Sequence, residues 1–564
     1  MRGQMMDVPL LISSLLVHAD RYHGDTEIVS RTVEDPKQIH RYTYRDAHVR
    51  SRKLANALVR LGLKPGERAA TLAWNGYRHF ELYYAISGIG SIVHTINPRL
   101  HPDQVGWIAN DADDQLLFFD VTFAGIVDAI APKCPGVKHW VAMTDRAHLP
   151  AMKNVQPLCY EDLLAAENDR FDWPQFDERE ACCLCYTSGT TGNPKGVLYS
   201  HRSMTLHSYG TCQPDVMNLS SRDVVLPVVP MFHVNAWSLP YACALAGAKL
   251  VFPGPALDGA SVCELFDSEG VTFSAGVPTV WLGAYQHLQQ SGKKPRTLKR
   301  MIVGGSAVPP SLMEAFDKAY GVKLVHAWGM TEMSPLGTVC TLKAKHLGLP
   351  KDEQFAVEVK QGRPPYGVDL KIVDPEGKEL PRDGKASGDL HVRGPWIVDG
   401  YFKGEKSPLV DGWFPTGDVA TIDRDGFMRI TDRSKDVIKS GGEWISSIEI
   451  ENIAIAHPAV AEAACIACAH PKWLQRPLLI VVKRKDAEVT RNELLAFYEG
   501  KVAKWWTPDD VVFVNELPHT AVGKLHKLKL REQFRDHVLP SALEIENCPL
   551  VDDRKGSATE VRPG

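Results

Sequence analysis

Apolar and polar residues alternate along the chain in two patterns, and the first covers about residues 40 to 340. There, short β-rich runs alternate with stretches whose apolar residues recur at helical spacing. Such alternation predicts an α/β fold with parallel-rich sheets covered by helices. The predicted strands are RAATLAWNG, QLLFFD, HWVAM, DVVLPVVP, AKLVFPG and KRMIVGGS, and the predicted helices are YYAISGIGSI, VCELFDSEG, SLMEAFDKAYG and VPTVWLGAYQHLQQSG.

A second pattern begins near residue 360. The segments VDLKIVD, GDLHVRG and GFMRITDR, separated by turn sequences, predict short antiparallel strands that form a small barrel-like part. After residue 436 the α/β pattern returns, with a helix predicted over EWISSIEIENIAIAH and strands over AACIACAH and PLLIVVK. We therefore predict a large domain over 1–431, a hinge over 432–436, a small mobile α+β domain over 437–540 and a loose tail over 541–564.

Residues 8–19, VPLLISSLLVHA, carry apolar side chains at helical spacing and predict an amphipathic first helix. A signal peptide is the alternative, but one Arg and one Asp precede the segment and no clear cleavage pattern follows. The sequence contains no run of eighteen apolar residues, so no transmembrane helix is expected.

The length, the net charge and the cysteine content limit the classes of protein to which the chain can belong. A chain of 564 residues is too long for a single hydrophobic core, which agrees with several domains. The net charge of −4 gives no indication of a nucleic-acid partner. Cys182, Cys183 and Cys185 lie in a predicted buried strand, and their spacing fits no zinc motif. Because free buried cysteine behaves as a small hydrophobe, we expect a reducing, cytoplasmic compartment.

The segment YTSGTTGNPKG, residues 186–196, is the first candidate for chemistry. Its glycines let a ligand approach the backbone, and its N–H groups, hydroxyls and Lys195 suit a polyphosphate. A flexible surface loop is the alternative. Gly189, Gly192 and Gly196 stand around Lys195 at a spacing that differs from the Walker A loop. The sequence therefore predicts a nucleotide site outside the P-loop fold.

This segment resembles the signature of the acyl-adenylate-forming superfamily, the AMP-binding enzymes that include acyl-CoA synthetases, adenylation domains of peptide synthetases and beetle luciferases. Four further segments resemble motifs of that superfamily in the same order. They are WGMTE at 328–332, TGD at 416–418, DRSKDVIKSGGEWIS at 432–446 and LPHTAVGK at 517–524. The segments HTINPRL, VPMFHVNAW and HPKW resemble more closely bacterial medium- and long-chain fatty-acyl-CoA synthetases and 3-methylmercaptopropionyl-CoA ligases.

The resemblance implies an ATP-dependent carboxylic acid–CoA ligase that works in two steps. A carboxylate first attacks the α-phosphate of MgATP, and the products are acyl-AMP and pyrophosphate. The thiol of coenzyme A then attacks the acyl-AMP, and the products are acyl-CoA and AMP. Because the attacking carboxylate is already ionised, catalysis of the first step consists of positioning and charge neutralisation. Close relatives form homodimers, so a homodimer is expected.

Glu332 and Thr187 match the positions that hold Mg²⁺ in the superfamily, and hard oxygen ligands suit this ion. For Glu332 the alternative is a helix start capped by Thr331. Asp418 matches a carboxylate that binds ribose, with an Asx turn as the alternative, and Trp328 matches a position near the adenine. The residues implied to contact the nucleotide are Thr187, Ser188, Gly189, Thr190, Thr191, Gly192, Lys195, Gly304, Gly305, Ser306, Ala327, Trp328, Gly329, Met330, Thr331, Asp418 and Arg433.

Lys524 matches the lysine that bridges the carboxylate and the phosphate in the first step, where the repulsion of two anions must be cancelled. A solvated surface lysine is the alternative. Lys435 matches the hinge about which the small domain rotates between the two steps. Gln475 stands where close relatives often carry Glu, which predicts a difference in domain closure. The residues implied to contact coenzyme A or the closed interface are Lys439, Gly441, Gly442, Glu443 and Trp444.

The stretch VVPMFHVNAWSLP contains no acidic residue, which argues against an amino acid as substrate. It offers His233, Asn235 and Trp237 to an apolar acyl group, and Gly276 and Val277 supply further wall. Trp237 matches a gate residue of long-chain relatives, with core packing as the alternative. Since apolar pockets discriminate chain length weakly, medium- to long-chain fatty acids rank first and 3-methylmercaptopropionate second.

Three functions of other kinds stay open on the sequence alone. They are a light-emitting oxidase on the same scaffold, a non-catalytic acyl-AMP binding protein and an adenylation enzyme with a carrier-protein acceptor. The intact Lys524, Glu332 and glycine loop favour an active enzyme. The sequence shows no attached carrier domain, which favours coenzyme A as the acceptor.

Overall fold

The structure, a computed structural model, describes residues 1, 3–187, 194–440, 443–485, 487–520 and 525–546. The described residues form two compact units. The large unit is Met1–Ile430, and the small unit begins at Thr431 and includes Thr431–Thr520. The hinge predicted over 432–436 stays a prediction. None of the described helices is both long and apolar enough to cross a bilayer.

The strands and helices are numbered along the chain. The strands are β1 Glu27–Arg31, β2 Ile39–Thr43, β3 Arg68–Leu72, β4 Ile92–Thr95, β5 Asp114–Phe119, β6 His139–Ala142, β7 Leu158–Cys159, β8 Ala181–Tyr186, β9 Gly196–Ser200, β10 Val224–Pro227, β11 Lys249–Phe252, β12 Phe273–Gly276, β13 Arg300–Val303, β14 Lys323–Gly329, β15 Leu336–Val339, β16 Asp369–Val373, β17 Ser387–Arg393, β18 Phe414–Ile422, β19 Met428–Arg433, β20 Ile438–Ser440, β21 Glu443–Ile445, β22 Val460–His470, β23 Leu474–Lys483 and β24 Asp510–Phe513. The α-helices are α1 Ile12–His23, α2 Tyr44–Arg60, α3 Tyr77–Gly88, α4 Pro102–Asp111, α5 Ala124–Ile130, α6 Tyr160–Ala165, α7 His201–Cys212, α8 Leu239–Ala246, α9 Gly259–Ser268, α10 Pro278–Ser291, α11 Pro310–Tyr320, α12 Ala344–Leu347, α13 Lys351–Glu358, α14 Ser447–Ile455, α15 Arg491–Ala496, α16 Lys527–Gln533 and α17 Pro540–Glu546.

The strands assemble into sheets whose pairing follows the two sequence patterns. One sheet has the order β7-β6-β5-β3-β4-β8-β9, and a second has the order β15-β14-β13-β12-β10-β11-β1-β2. Their inner strands pair in parallel, whereas β16, β17 and β18 pair antiparallel. The small unit contains a sheet of order β21-β20-β23-β22, with β24 on β23. The predicted fold class, a large parallel-rich α/β domain followed by a small α+β domain, is confirmed.

The inner strands are buried on both faces, as parallel sheets require. The strand β8, ACCLCY, shows this clearly, because Cys182, Cys183 and Cys185 are all buried and free. Burial raises the pKa of Cys185 to about 12, so its thiol stays protonated and packs as an apolar group. The prediction of a buried strand that leads into the glycine loop is confirmed.

Two predicted helices of the large unit have different bounds in the structure. The helix predicted over 83–92 is wrong at its end, because α3 stops at Gly88 and Ile92 already begins β4. Between them Gly90 takes a φ of +82°, which glycine adopts without strain. The helix predicted over 8–19 starts later, at the first residue of α1.

Two predictions in the small unit also need correction. EWI, the start of the helix predicted over 443–457, forms β21 instead. The helix α14 begins after it, where the Ser446 side chain accepts a hydrogen bond from the Glu449 N–H and caps the first turn. The tail predicted to be loose from residue 541 begins inside α17, and residues 547–564 lie outside the described residues.

A buried ion network joins three helices of the large unit. Glu81 on α3 is fully buried, and its two oxygens accept hydrogen bonds from Arg50 Nε on α2 and from the Tyr160 hydroxyl on α6, each at 2.7 Å. Arg50 also donates two hydrogen bonds of 3.0 Å to Glu161 on α6. Burial raises the pKa of Glu81 although Arg50 lowers it, so its ionised form depends on these partners.

We expect Glu81→Ala to destabilise the large unit by about 3–5 kcal/mol, because the change leaves Arg50 buried with only part of its counter-charge. Differential scanning calorimetry of the full chain measures the shift of the transition. The control is Glu314→Ala, which removes the exposed pair between Glu314 and Lys318 and should cost about 1 kcal/mol at most. Equal shifts for the two variants would contradict the structural role of the network.

Candidate active site

The carboxyl ends of neighbouring parallel strands bring four sequence segments to one edge of the eight-stranded sheet. Gly276 of β12 pairs with Val303 of β13, and Val303 pairs with His326 of β14. β10 pairs in parallel with β12 on its other side. The segments after these strands therefore start at the same edge, which is where open α/β sheets bind ligands. The ends of β12 and β14 contain the predicted residues Gly276, Ala327, Trp328 and Gly329. The segments after the strands contain the predicted residues His233, Asn235, Trp237, Val277, Gly304, Gly305, Ser306, Met330, Thr331 and Glu332.

The segment after β10 contains a strained turn next to this edge. Val234, Ser238 and the three residues between them all have a positive φ, from +47° to +61°. Such angles cost L-residues roughly 1–2 kcal/mol each. The Trp237 ring lies against Gly304, where a β-carbon would be 3.1 Å from Trp237 Cη2 and 3.0 Å from the Ala327 carbonyl oxygen. A side chain at position 304 would therefore crowd both the Ala327 carbonyl group and the ring of Trp237, the predicted gate residue.

The other two predicted acyl-pocket residues of this segment differ in burial. Asn235 is fully buried, and its Oδ1 accepts a hydrogen bond from the Cys185 thiol at 3.3 Å. His233 is half-buried, and its N–H donates to the Pro230 carbonyl oxygen at 3.1 Å. Contact between these side chains and an acyl group stays a prediction.

The two ends of the glycine loop are joined by the backbone. The Thr187 N–H donates to the Lys195 carbonyl oxygen at 2.9 Å, and the Lys195 N–H donates to Thr187 Oγ1 at 3.4 Å. These bonds close the base of the loop and place the predicted hydroxyl and ammonium groups at its two ends. The predicted residues Ser188, Gly189, Thr190, Thr191 and Gly192 lie outside the described residues.

Glu332 lies in a short 3-10 helix, Thr331–Met333, directly after β14. Its carboxylate is 8% exposed, and Oε1 accepts a hydrogen bond from the Tyr401 hydroxyl at 2.9 Å. The helix does begin at Thr331, as in the alternative, but Met330 occupies the N-cap position without a side-chain hydrogen bond, so Thr331 is not the cap. The turn is tied to β9 by Tyr199, whose hydroxyl donates to the Thr331 carbonyl oxygen at 2.7 Å.

The Glu332 carboxylate fits a magnesium ion that also binds phosphate groups. Mg²⁺ prefers one or two carboxylate oxygens together with phosphate oxygens and water. Oε1 of Glu332 accepts the Tyr401 hydrogen bond, and no other donor to this carboxylate occurs in the part of the chain that the structure describes. Burial raises the pKa of Tyr401 and the neighbouring Glu332 raises it further, so the phenol stays a donor. The carboxylate is thus oriented by a neutral group and keeps an oxygen for a cation.

Asp418, the predicted ribose ligand, is held by an indole. It lies in β18, is buried, and its Oδ2 accepts a hydrogen bond from Trp328 Nε1 of β14 at 2.9 Å. Trp328 itself packs in the apolar cluster of Leu390, Val392 and Trp396. The contact of Trp328 with an adenine stays a prediction, whereas its bond to Asp418 is a feature that the sequence did not indicate.

The predicted residues of the small unit are described only in part. Arg433, Lys435 and Lys439 are exposed. The Lys439 N–H donates to the side-chain oxygen of Gln475 at 2.8 Å, so this amide already has a partner within the unit. Glu443 and Trp444 form part of β21 through their backbones. Gly441, Gly442 and Lys524 lie outside the described residues, and the roles of all these residues stay predictions.

Tyr401 and Tyr199 were missed by the reading of the sequence. Tyr401 is 69 positions from Glu332, and Tyr199 is 132 positions from Thr331. Neither lies in an apolar repeat or in a motif that indicates chemistry. The only local signal is that Tyr401 follows a Gly in the loop segment DGYFKGE, which by itself predicts a turn.

The sequence matches the profiles of two known domain families. The profile of the AMP-binding enzyme family matches residues 16–402, and the profile of the AMP-binding enzyme C-terminal domain matches residues 449–524. The chain is 54% identical to a 3-methylmercaptopropionyl-CoA ligase of Ruegeria lacuscaerulensis over 95% of this chain and 99% of the relative. It is 52% identical to a medium-chain-fatty-acid–CoA ligase of Ectopseudomonas oleovorans over 97% of this chain and 100% of the relative.

A solved structure shows the same fold. The chain is similar to a crystal structure of an anthranilate CoA ligase in complex with anthranoyl-AMP, with a TM-score of 0.82 and 26% identity. The similarity covers 94% of this chain and 98% of that chain. The match therefore includes residues of both units of the chain.

We expect Trp328→Phe to weaken nucleotide binding about tenfold or more, because a hydrogen bond to a charged acceptor contributes about 1.5–3 kcal/mol. Isothermal titration with ATP measures the dissociation constant. The matched control is Trp396→Phe, which removes the indole hydrogen bond to the Leu336 carbonyl oxygen in the same apolar cluster. The control should lower thermal stability and leave ATP affinity unchanged, whereas equal affinities for both variants would refute the role given to Trp328.

Proposed function

The chain belongs to the AMP-binding enzyme family, and from this premise we propose that its acid substrate is a medium- to long-chain fatty acid. It is an AMP-forming acid–CoA ligase that uses ATP, Mg²⁺ and coenzyme A. In the first step a carboxylate oxygen forms a bond to the α-phosphorus of ATP, and the bond to pyrophosphate breaks. In the second step the thiol sulfur of coenzyme A bonds to the acyl carbon, and AMP leaves.

The assigned roles follow from the charges that these steps bring together. Mg²⁺ bound with ATP offsets phosphate charge that would otherwise repel the carboxylate. Glu332 and Thr187 are the residues proposed to hold this ion. Asp418, oriented by its indole partner, is proposed to accept the ribose hydroxyls. Lys524 is proposed to bridge the two anions in the first step.

One observation gives the strongest support for the proposed nucleotide site. The buried Glu332 carboxylate lies in the turn after β14, and the parallel pairing of β13 with β14 puts that turn next to Gly304, Gly305 and Ser306. Two motifs implied to contact one nucleotide, the glycine turn after β13 and the turn after β14, therefore start at one edge of one sheet. This proximity supports a common ligand for them.

The proposed acyl group is apolar because the segment beside this edge is apolar. The half-buried Trp237 ring packs on Gly304, and no acidic residue stands in the segment after β10. An amino group on the substrate would lack a partner there. These features support a hydrocarbon chain and do not define its length.

A second candidate substrate is 3-methylmercaptopropionate. The observation that favours it is the 54% identity to a ligase named for that acid, beside 52% to a medium-chain fatty-acid ligase. The thioether acid differs from pentanoate only in having sulfur in place of one methylene. The two acids therefore separate recognition of the sulfur from recognition of chain length.

The first test of the substrate is an acid panel with the purified full chain, MgATP and coenzyme A. Acyl-CoA and AMP are measured by mass for acetate, pentanoate, 3-methylmercaptopropionate, octanoate, palmitate and cinnamate. We expect octanoate or palmitate to exceed pentanoate in kcat/KM by about tenfold or more, since each buried methylene contributes about 1–3 kcal/mol. A preference for 3-methylmercaptopropionate over both pentanoate and octanoate would replace the fatty acid by the thioether acid.

Lys524→Ala should separate the two steps. We expect acyl-AMP formation to lose about 3–4 kcal/mol of transition-state stabilisation, while acyl-CoA formation from supplied acyl-AMP continues at the wild-type rate. Pyrophosphate exchange measures the first step, and release of AMP from acyl-AMP measures the second. The control is Lys529→Ala, an exposed lysine on α16. Equal losses in both steps would show that Lys524 does not act in the way proposed.

We also propose that the chain forms a homodimer and works in the cytoplasm. The homodimer rests on resemblance alone. The cytoplasmic location is supported by free cysteines, of which Cys182, Cys183, Cys185 and Cys243 are buried. Buried thiols without disulfide partners are typical of reducing compartments.

A further inference from the structure

Residues 398–403, the strap, connect the turn that holds Glu332 with the strand that follows the glycine loop. The Val398 N–H donates to the Glu332 carbonyl oxygen at 2.8 Å. The Phe402 N–H donates to the Gly196 carbonyl oxygen at 2.8 Å. The strap is therefore bonded to the turn that carries Glu332 and to the strand that follows the glycine loop. One aromatic side chain, that of Tyr401, lies between these two attachment points.

That side chain, Tyr401, contacts two opposite charges. Its hydroxyl donates to Glu332 Oε1 at 2.9 Å. The Lys195 Nζ atom lies 4.8 Å from the centroid of the Tyr401 ring, within the range of a cation–π contact. In the part of the chain that the structure describes, Glu332 has no ion pair with Lys195 or with any other cation. The tyrosine thus stands where a direct Lys195–Glu332 pair would otherwise be possible.

We propose that Tyr401 is a positioning residue for the first step, which fixes one oxygen of Glu332 and keeps the Lys195 ammonium group on its ring face. This inference rests on the proposed function of Glu332 as a ligand of Mg²⁺. A Lys195–Glu332 salt bridge would neutralise the carboxylate and compete with the metal ion. A phenol donor orients the carboxylate and leaves its charge intact, so Oε2 stays available to the cation.

The two contacts of Tyr401 can be separated by substitution. Tyr401→Phe keeps the ring beside Lys195 and removes the hydroxyl, so it tests the hydrogen bond to Glu332. Tyr401→Leu removes the hydroxyl and the aromatic face, so Lys195 gains access to Glu332. A purely structural tyrosine would respond to these changes in stability and would leave the dependence on metal ions unchanged.

The experiment measures metal affinity without turnover. The full-length chain is saturated with α,β-methylene-ATP, whose α–β linkage cannot be cleaved in the first step, and Mn²⁺ binding is followed by electron paramagnetic resonance. We expect the dissociation constant of Mn²⁺ to rise about 10- to 100-fold in Tyr401→Phe, which is the usual cost of losing a partner that orients a metal ligand. A larger rise is expected in Tyr401→Leu.

A second measurement links binding to chemistry. Pyrophosphate exchange is recorded against free Mg²⁺ at saturating ATP. For Tyr401→Phe the Mg²⁺ concentration at half-maximal rate should rise by the same factor, and the maximal rate at high Mg²⁺ should return to within about threefold of the wild type. Recovery at high metal concentration is the signature of a positioning role.

Tyr44→Phe is the matched control, because it removes one phenol hydroxyl that donates to a backbone carbonyl oxygen, that of Ala248, at 2.8 Å. Tyr44 is fully buried on α2 and belongs to none of the segments of the candidate site. We expect this variant to melt at a lower temperature with an unchanged Mn²⁺ dissociation constant. Melting temperatures of all variants are measured beside the binding curves.

The outcomes distinguish this inference from the proposed function. Wild-type Mn²⁺ affinity in Tyr401→Phe would overturn the positioning role, whether or not the wild-type chain makes acyl-CoA. Equal Mn²⁺ affinities for the Phe and Leu variants would overturn the part of the proposal that concerns Lys195. If the wild-type chain forms acyl-CoA with none of the acids, the assigned activity fails while the binding comparison still decides the role of Tyr401.

Discussion

The parallel register of β12, β13 and β14 is the constraint on which the site depends. Each strand ends at the same edge of the sheet, and each is followed by a segment with a different chemical character. Gly276 and Val277 are proposed to supply apolar wall, the glycines after Val303 are proposed to allow close approach of a ligand, and the turn after β14 supplies a carboxylate. β12 and β13 are buried along almost their whole length and β14 buries every second residue, so core packing holds the strand ends in place. The relative positions of the three segments are thus set by strand pairing and core packing, together with a hydrogen bond from the Gly304 N–H to the Gly276 carbonyl oxygen at 3.4 Å.

Buried carboxylates in this protein have two kinds of hydrogen-bond partner, charged and uncharged. In the scaffold, Glu81 forms a salt bridge with the Arg50 guanidinium group that joins helices. At the candidate site, Asp418 accepts a hydrogen bond from the Trp328 indole and Glu332 accepts one from a phenol. The phenol that donates to Glu332 carries no charge, so it orients this carboxylate without neutralising it. A carboxylate proposed to attract a cation benefits from this kind of partner.

Close packing explains why glycines recur at this edge. Gly304 admits the Trp237 ring, and a β-carbon at Gly276 would lie only 2.5 Å from the ring of Trp281. A β-carbon at either position would therefore crowd an aromatic ring, either that of Trp237, the predicted gate residue, or that of the fully buried Trp281. The glycine predicted to contact the nucleotide and the one predicted to line the acyl pocket are thus also needed for the close packing of aromatic side chains.

The sequence by itself determined the features that depend on neighbouring residues. The alternation of strands and helices, the buried cysteine strand, the antiparallel segment and the order of the five motifs all follow from local patterns. The helix bounds near Gly90 and Ser446 differ from the predicted ones, because caps and glycine conformations decide where a helix begins and ends. Only the tertiary structure decided that Trp328 holds Asp418 and that Tyr401 lies between Lys195 and Glu332. The members of each pair are 69 or more positions apart and lie in different sheets or in loops, so only the packing of the folded chain brings them together, which no periodicity along the chain records.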